Sequence, residues 1–169
     1  MTMTKPDRGL RDVAVASGML LAATGTALVG VGLWARREVA TALARERVVS
    51  TPDATPPNAL VTSAAAARSL AEVIREHTLE ATGGRTYAET PQFLDRDGKP
   101  TANADLAQKD GTGRPIENPE RALWLQSTTL QTALVQAYLG ARVGELTAGL
   151  GVALAVAGAG IAAAGAARR

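Results

Sequence analysis

The sequence predicts an all-α membrane protein in which two transmembrane helices form an antiparallel hairpin that extends beyond the bilayer, with a small helical extramembrane domain and a long polar loop. Each end of the chain carries a long uncharged run, and both runs repeat small residues with a 3.5-residue period. The chain is 46% apolar but only 3% aromatic, so a thick globular core is hard to build from it.

The first uncharged run covers residues 13–35, which as a helix would span roughly 34 Å, enough for a hydrocarbon core of about 30 Å. Trp34 lies at its end, where an amphipathic ring favours the membrane interface, and Arg36 and Arg37 follow. A cleavable signal peptide is the alternative, but the run is too long for an ordinary signal sequence, and charged residues separate it from the Ala-x-Ala at 42–44. Residues 1–12 are then a cytoplasmic tail.

The second uncharged run covers residues 146–167 and precedes a two-residue tail, Arg168 and Arg169. It consists mainly of Ala and Gly, so a buried helix of a soluble fold is the alternative; the terminal arginines and the matching first run favour a second membrane span. The basic residues flanking the two spans are equal in number on both sides, and long loops are translocated largely regardless of charge. We therefore expect a two-pass plasma membrane protein with cytoplasmic termini and an extracytoplasmic domain at residues 36–145.

Small residues favour helix association in lipid because they allow close approach of the backbones. They recur in the first span at alternating spacings of four and three, which predicts a left-handed packing seam that continues to Val39 and Leu43. The second helix keeps the same period, with bulky residues outside the bilayer and small ones within it. The predicted helix-packing residues are Gly18, Ala22, Gly25, Gly32, Leu130, Leu134, Gly144, Ala148, Gly151, Ala155 and Gly158.

Between the spans, three prolines forbid a continuing helix and predict a stiff connector with a short extended stretch at residues 48–49. Ser63 is a candidate N-cap for an amphipathic helix at residues 63–82, closing at the following Gly pair. Residues 90–117 are polar and turn-forming, which predicts a mobile loop. Asn118 and Pro119 then form a helix start signal, so a long helix is expected from residue 119.

The residue types exclude several kinds of site. The chain has no Cys and a single His, so Cys-ligated and multi-histidine metal sites are excluded within one chain. We expect His77 on the packed face of the amphipathic helix, with Leu70, Val73, Ile74 and Ala81. The acidic residues of the loop lack calcium-loop spacing, no base partner supports a hydrolytic triad, no phosphate loop is indicated, and scattered basic residues argue against nucleic-acid binding. No catalytic, metal or cofactor-binding residue is predicted.

The stretch HTLEATGGRTYAE, residues 77–89, flanked by a span on each side, resembles a group of small actinobacterial two-span membrane proteins commonly named aromatic ring-opening dioxygenase LigA. The resemblance covers most of the chain, although only about a dozen residues are specific, and residues 90–117 look like an insertion. It implies a location and a topology. Dioxygenases of that name hold iron on two histidines and a glutamate, and the single His77 cannot supply that set, so no catalytic residue is carried over.

Architecture and resemblance together suggest a non-enzymatic accessory or scaffold protein, a small subunit of a larger membrane complex such as a respiratory or transport assembly. Its partners would be the lipid bilayer and other membrane helices, and a homo-oligomer is compatible with the same pattern. The candidate partner contacts are Trp124, Tyr87 and Trp34, although Trp124 could instead cover the small domain. The alternative is a stand-alone envelope sensor or ligand-binding protein; an iron-dependent dioxygenase is the third hypothesis.

Overall fold

The computed structural model describes residues 8–167, so the predicted tail at 168–169 and the first seven residues lie outside it. The described elements are α1 (Arg8–Glu46), α2 (Ala64–Ala81), β1 (Phe93–Leu94), β2 (Pro100–Thr101) and α3 (Pro119–Ala167). The chain divides into two compact units. Unit 1 contains residues 8–45 and 139–167, and unit 2 contains residues 46–138.

Helix α1 has 39 residues and is longer at both ends than the predicted span at 13–35. It extends back to Arg8, within the predicted tail, although Gly9 is a weak helix former. It continues past Arg36 and Arg37 to Glu46, as the extension of the seam to Val39 and Leu43 predicts. Arg47 then adopts a positive φ of 49°, which ends the helix.

The connector of unit 2 is extended where the valines predict it. Val49 pairs with Leu60 in an isolated antiparallel bridge, and the N–H groups of Ser50 and Val61 donate to the carbonyls of Ala59 and Val48, each at 2.9 Å. The Ser50 hydroxyl donates to the carbonyl of Pro56 at 2.5 Å and accepts the N–H of Ala59 at 3.0 Å. These bonds satisfy backbone groups that the prolines leave outside regular structure.

Helix α2 starts and stops at its predicted signals. The Ser63 hydroxyl accepts the N–H of Ala66 at 3.2 Å, as an N-cap does. The helix ends at Ala81 with Thr82 as its C-cap. Gly83 and Gly84 follow at φ values of 61° and 80°, a left-handed conformation in which glycine has no side-chain clash. Their N–H groups donate to the carbonyls of Glu80 and Leu79, so the last turn is capped.

The buried face of α2 differs in part from the predicted one. Leu70 and Val73 are buried as expected, but His77 and Ala81 are exposed, and Thr78 is buried in their place. The buried helix residues are Ala66, Ala67, Leu70, Ala71, Val73 and Thr78. The Thr78 hydroxyl donates to the carbonyl of Ile74 at 2.7 Å, which removes the penalty of burying it, whereas a Thr in a sequence pattern counts as polar.

Residues 90–117, predicted as a structureless mobile loop, contain short regular pairings. Strands β1 and β2 pair antiparallel, and isolated bridges join Phe93 to Glu117, Asp95 to Ala107 and Lys109 to Pro115. Asp95 and Asp110 close the two turns by accepting backbone N–H groups two and four residues ahead. The strands are two residues long, too short to show the alternation by which strands are recognised.

Helix α3 has 49 residues and starts as predicted at Pro119, with the Asn118 side-chain oxygen accepting the N–H of Glu120 at 3.0 Å. It continues unbroken through the Gly-rich stretch to Ala167. The core of unit 2 lies under the first turns of α3 and α2. Its buried apolar side chains include Val61, Ala66, Ala67, Leu70, Ala107 and Trp124.

Candidate membrane interaction site

In unit 1 the helices α1 and α3 meet at their glycines. Gly18, Gly25 and Gly32 are buried in α1, and the atoms nearest to them belong to α3. The contacts pair Gly18 with Gly158 and Ala162, Gly25 with Gly151 and Ala155, and Gly32 with Gly144 and Ala148. Residues later in α1 contact residues earlier in α3, so the two helical segments of unit 1 run antiparallel. We call this line of contacts the glycine seam.

The approach at the glycine seam is between backbones. A Cβ atom placed on Gly25 would lie 2.5 Å from the carbonyl oxygen of Gly151 and 2.9 Å from Cα of Ala155, and it would also meet the backbone N of Ala155. The relation is reciprocal, since a Cβ on Gly151 would lie 2.6 Å from the carbonyl oxygen of Gly25. Such contacts admit only glycine, which is how small residues let helices pack without large side chains.

The predicted packing residues divide by position. Those within unit 1 lie at the glycine seam. The three alanines among them contact glycines of the other helix: Ala22 contacts Gly158, Ala148 contacts Gly32, and Ala155 contacts Gly25. In unit 2, Leu134 is buried. Leu130 is 52% exposed, so its prediction was wrong; Gln131 is partly buried instead. Leu130 and Gln131 lie three and four positions after the buried Ser127, so a 3.5-residue period allows either of them to be the next buried residue. The prediction took the apolar Leu130, but the structure partly buries the polar Gln131 instead.

The outer surfaces of the same helices are apolar and exposed. Only 11% of the most apolar 18-residue stretch of α1 is buried, and 17% of that of α3. The large exposed side chains within residues 13–35 and 146–167 are Val13, Met19, Leu20, Val31, Leu33, Trp34, Leu146, Leu150, Val152, Val156 and Ile161. Each helix is long and apolar enough to cross a membrane. Water-soluble monomers rarely expose a continuous apolar surface of this extent.

Charged residues gather where the apolar part of unit 1 ends. Glu145 lies between two arginines: its Oε2 accepts from Nη1 of Arg142 at 2.6 Å, and its Oε1 lies 3.7 Å from Nη2 of Arg36. Arg142 and Glu145 are three residues apart, a spacing at which side chains on a helix meet. The stem of Arg36 lies beside Gly144, whose added Cβ would be 3.1 Å from Cγ of Arg36. The absence of a side chain at Gly144 therefore makes room for this arginine.

The three aromatic candidates for partner contacts have different surroundings. Trp34 is 65% exposed in unit 1, and Tyr87 is 38% exposed in unit 2 with the guanidinium carbon of Arg121 4.0 Å from its ring centroid. Trp124 is 6% exposed, and its Nε1 donates to the carbonyl of Arg85 at 3.1 Å. Trp124 thus covers the small domain and is not a surface contact, because its ring and its one donor are both satisfied within unit 2.

Residues 85–91, which begin inside the motif at 77–89 and continue past its end, contact the start of α3. Nη2 of Arg85 donates to both carboxylate oxygens of Glu120 at 2.8 and 2.9 Å. Nη1 of Arg121 donates to the carbonyl of Thr90 at 2.9 Å, and the Asn118 side chain donates to the carbonyl of Pro91 at 3.1 Å. Residues 85–91 therefore fix the position of the first turn of α3 through these hydrogen bonds. Sequence reasoning missed these pairings, since no local pattern links residues 27 to 35 positions apart.

A second polar contact ties the connector to α2. Nε2 of His77 lies 2.6 Å from Oδ2 of Asp53, and the Ser69 hydroxyl accepts the N–H of Thr55 at 2.8 Å. The neighbouring Thr51 hydroxyl holds the pKa of the Asp53 carboxyl below its ordinary value, with smaller contributions from its own backbone amide and His77. His77 thus has a polar partner, although it lies on the exposed face of α2.

Unit 2 also has an open cleft among the turns of residues 90–117. It is lined by Arg96, Asp105, Ala107, Gln108 and Lys109, of which Ala107 alone is buried. Nearby, the Thr112 hydroxyl and the backbone amides of Arg114 and Thr112 hold the pKa of the Asp110 carboxyl below its ordinary value. Among residues 8–167 no three His, Asp or Glu side chains lie together in a way that could hold a metal ion.

Comparison of the chain with protein-family models, with curated proteins and with solved structures finds no match.

Proposed function

We propose that this chain is a non-enzymatic, two-pass plasma membrane protein that serves as an accessory or scaffold subunit of a larger membrane complex. In this proposal α1 and α3 form a hairpin across the bilayer, both termini are cytoplasmic, and residues 36–145 form an extracytoplasmic domain. The family resemblance to small actinobacterial membrane proteins is consistent with the same location. A respiratory or transport assembly is the kind of host that contains such subunits.

One observation carries the proposal: the small residues of α1 and α3 face each other, whereas the large apolar ones face outward. In a soluble protein the large apolar side chains would be buried, because burying one stabilises the fold by about 1.5–3 kcal/mol. In lipid the outward chains are already in an apolar solvent, and close backbone packing drives helix association. The arrangement of unit 1 is the one expected for the second environment.

The same geometry bears on the two alternatives for the spans. A core helix of a soluble domain would be mostly buried, but most of the apolar stretches of α1 and α3 are exposed. A cleaved signal peptide would not need a matching partner at the other end of the chain. Gly18, Gly25 and Gly32 each have such a partner in α3, which supports α1 as a retained membrane anchor.

A role within a complex is supported by the outer face of α3. Gly149 and Gly160 have open space where a side chain would be, and both point away from the glycine seam. Another helix could approach α3 there as closely as α1 does on the opposite side. The exposed Trp34 would contact either lipid or such a partner.

The first experiment isolates the tagged chain from its native membrane in mild detergent, sizes the species and identifies its companions by mass spectrometry. Recovery in one large, reproducible assembly is the expected result. A small species without companions would contradict the accessory role. Recovery in the soluble fraction without detergent would contradict membrane insertion.

A cross-link tests the hairpin. The chain has no native Cys, so the double variant V39C/G140C carries one unique pair of thiols. Cγ2 of Val39 lies 3.4 Å from the Cβ position of Gly140, a separation that a disulfide can bridge. We expect rapid oxidation of this pair in membranes, and little for the control V39C/L139C, because Leu139 is 53% exposed and points about 100° away around the helix. Equal oxidation of both pairs would contradict the hairpin.

The cleft of unit 2 favours a second candidate function, a stand-alone envelope sensor or ligand-binding protein. Arg96, Lys109, Asp105 and Gln108 offer both donors and acceptors around one opening. The test is complementation of the growth or envelope defect of cells that lack the native chain. The double variant R96A/K109A should then fail to correct the defect, while K99A, a surface change outside the cleft lining, should correct it. Full restoration by R96A/K109A would remove the support for this candidate.

A further inference from the structure

We infer that the arginine cluster of unit 1, defined by Arg36, Arg37 and Arg142 with Glu38 and Glu145, binds the phosphate of an anionic phospholipid headgroup. This inference rests on the proposed membrane placement, which puts the end of the apolar surface at the bilayer interface. It goes further by assigning a ligand class to residues that the helix packing itself does not require.

The cluster is built at one level of unit 1 by two helices. Arg36 and Arg37 come from α1, and Arg142 comes from α3. Glu145 contacts both Arg36 and Arg142, one through each carboxylate oxygen, which brings the two guanidinium groups to the same side chain. Gly144 leaves space for the stem of Arg36, so this side chain is directed by packing as well as by charge.

The charge balance favours an anionic ligand. Three arginines stand against two glutamates, which leaves one net positive charge. Arg37 is exposed and makes no ion pair with any of residues 8–167, while Arg36 and Arg142 keep about half of their side-chain surface exposed despite contacting Glu145. Guanidinium groups recognise phosphate oxygens through paired N–H donors, so the cluster can accept a phosphate without losing Glu145.

The apolar surface just beneath the cluster fits the rest of a lipid. Trp34 is 65% exposed and lies about one helical turn before Arg37 on the same side of α1, and Val143, next to Arg142 on α3, is 63% exposed. A ligand whose phosphate is held by Arg37 would therefore meet the indole ring of Trp34 on the apolar side of the cluster. A phospholipid has that order of chemistry, whereas free phosphate uses only the first part.

Trp34 provides the readout. The chain has two tryptophans, and Trp124 is buried in unit 2, so a W34F variant measures the background. The full chain is placed in vesicles of phosphatidylcholine and phosphatidylglycerol in which one lipid at a time carries brominated acyl chains, which quench indole fluorescence only at short range. Each surface arginine contributes about fivefold to association with anionic lipid, so one net charge predicts about a fivefold preference of the Trp34 site for phosphatidylglycerol.

The double variant R36Q/R37Q changes the net charge of the cluster from +1 to −1, so the preference should fall to onefold or below. Quenching by brominated phosphatidylcholine should remain, which shows that the variant is still inserted. The control R45Q removes the same kind of charge about 12 Å further along α1, beyond the screening length at moderate salt, and should keep the preference. Inorganic phosphate at matched ionic strength should not compete.

Three outcomes would overturn the inference: equal quenching by both lipids in the native chain, a preference that survives in R36Q/R37Q, or displacement by inorganic phosphate, which would make free phosphate the ligand. If neither brominated lipid quenches Trp34, the membrane placement itself is wrong, and the proposed function fails together with this inference.

Discussion

Replacing Gly25 by Ala tests whether the glycine seam holds unit 1 together. The new methyl carbon would lie 2.5 Å from the carbonyl oxygen of Gly151 and 2.9 Å from Cα of Ala155, about 1 Å closer than ordinary contact. Both are backbone atoms of a helix, so neither can rotate away. The two helices must separate by about that amount at this level.

The loss of helix association free energy follows from the packing that this separation disturbs. A gap of about 0.5–1 Å forfeits a quarter to a half of the dispersion energy of the atoms facing it, and overpacking of this kind costs about 1–3 kcal/mol. Gly30→Ala is the matched control on α1, since a Cβ at Gly30 meets nothing within 4 Å. Both variants gain the same helix propensity from alanine, so the difference between them isolates the clash.

The assay measures helix separation as a loss of energy transfer between two dyes. The dyes are attached to Cys residues introduced at the exposed positions Leu33 and Leu146. The protein in mild micelles is then titrated with sodium dodecyl sulfate. We expect the Gly25→Ala protein to separate at a lower detergent fraction, equivalent to about 1–3 kcal/mol relative to Gly30→Ala. Separation of both variants at the same fraction would refute the backbone contact between α1 and α3 at Gly25.

Two further predictions concern unit 2. Trp124→Phe should lower the free energy of unfolding of unit 2 by about 0.5–1.5 kcal/mol, because the carbonyl of Arg85 loses the indole N–H but still accepts from the Thr82 hydroxyl at 2.7 Å; an unchanged urea midpoint would contradict this. The lowered pKa of Asp53 means that its contribution to stability is present above the unfolded pKa and is lost as the pH falls through the folded pKa. A carboxyl titration by NMR should show that His77→Ala raises this pKa, because Nε2 of His77 lies 2.6 Å from Oδ2 of Asp53, and an unchanged titration would be contrary to our expectation.

Much of the helical structure could be predicted from local signals. Ser63 before an Ala-rich amphipathic run, and Asn118 followed by Pro119, are start signals whose capping atoms lie within three residues of one another. The long apolar runs predict that α1 and α3 are helices able to span a membrane, because the runs are longer than those of an ordinary buried helix. These features depend on sequence neighbours alone, so tertiary context does not alter them.

The remaining differences arise where distant residues decide the outcome. Leu130 is exposed and Gln131 partly buried because the line of buried residues through Trp124 and Leu134 passes on one side of α3, which composition cannot specify. Asp110 organises a turn by accepting N–H groups, although in sequence it is one more polar residue of a loop. A polar residue is hard to place from sequence when its hydrogen-bond partner is unknown.

The glycine seam joins residues that are translated far apart in time. About 110 residues separate Gly32 from Gly144, and closing a flexible loop of that length costs about 4 kcal/mol of chain entropy. Order within residues 46–138 lowers that cost, because it shortens the flexible part of the loop. During synthesis α1 must wait without its partner helix for the several seconds needed to make the rest of the chain.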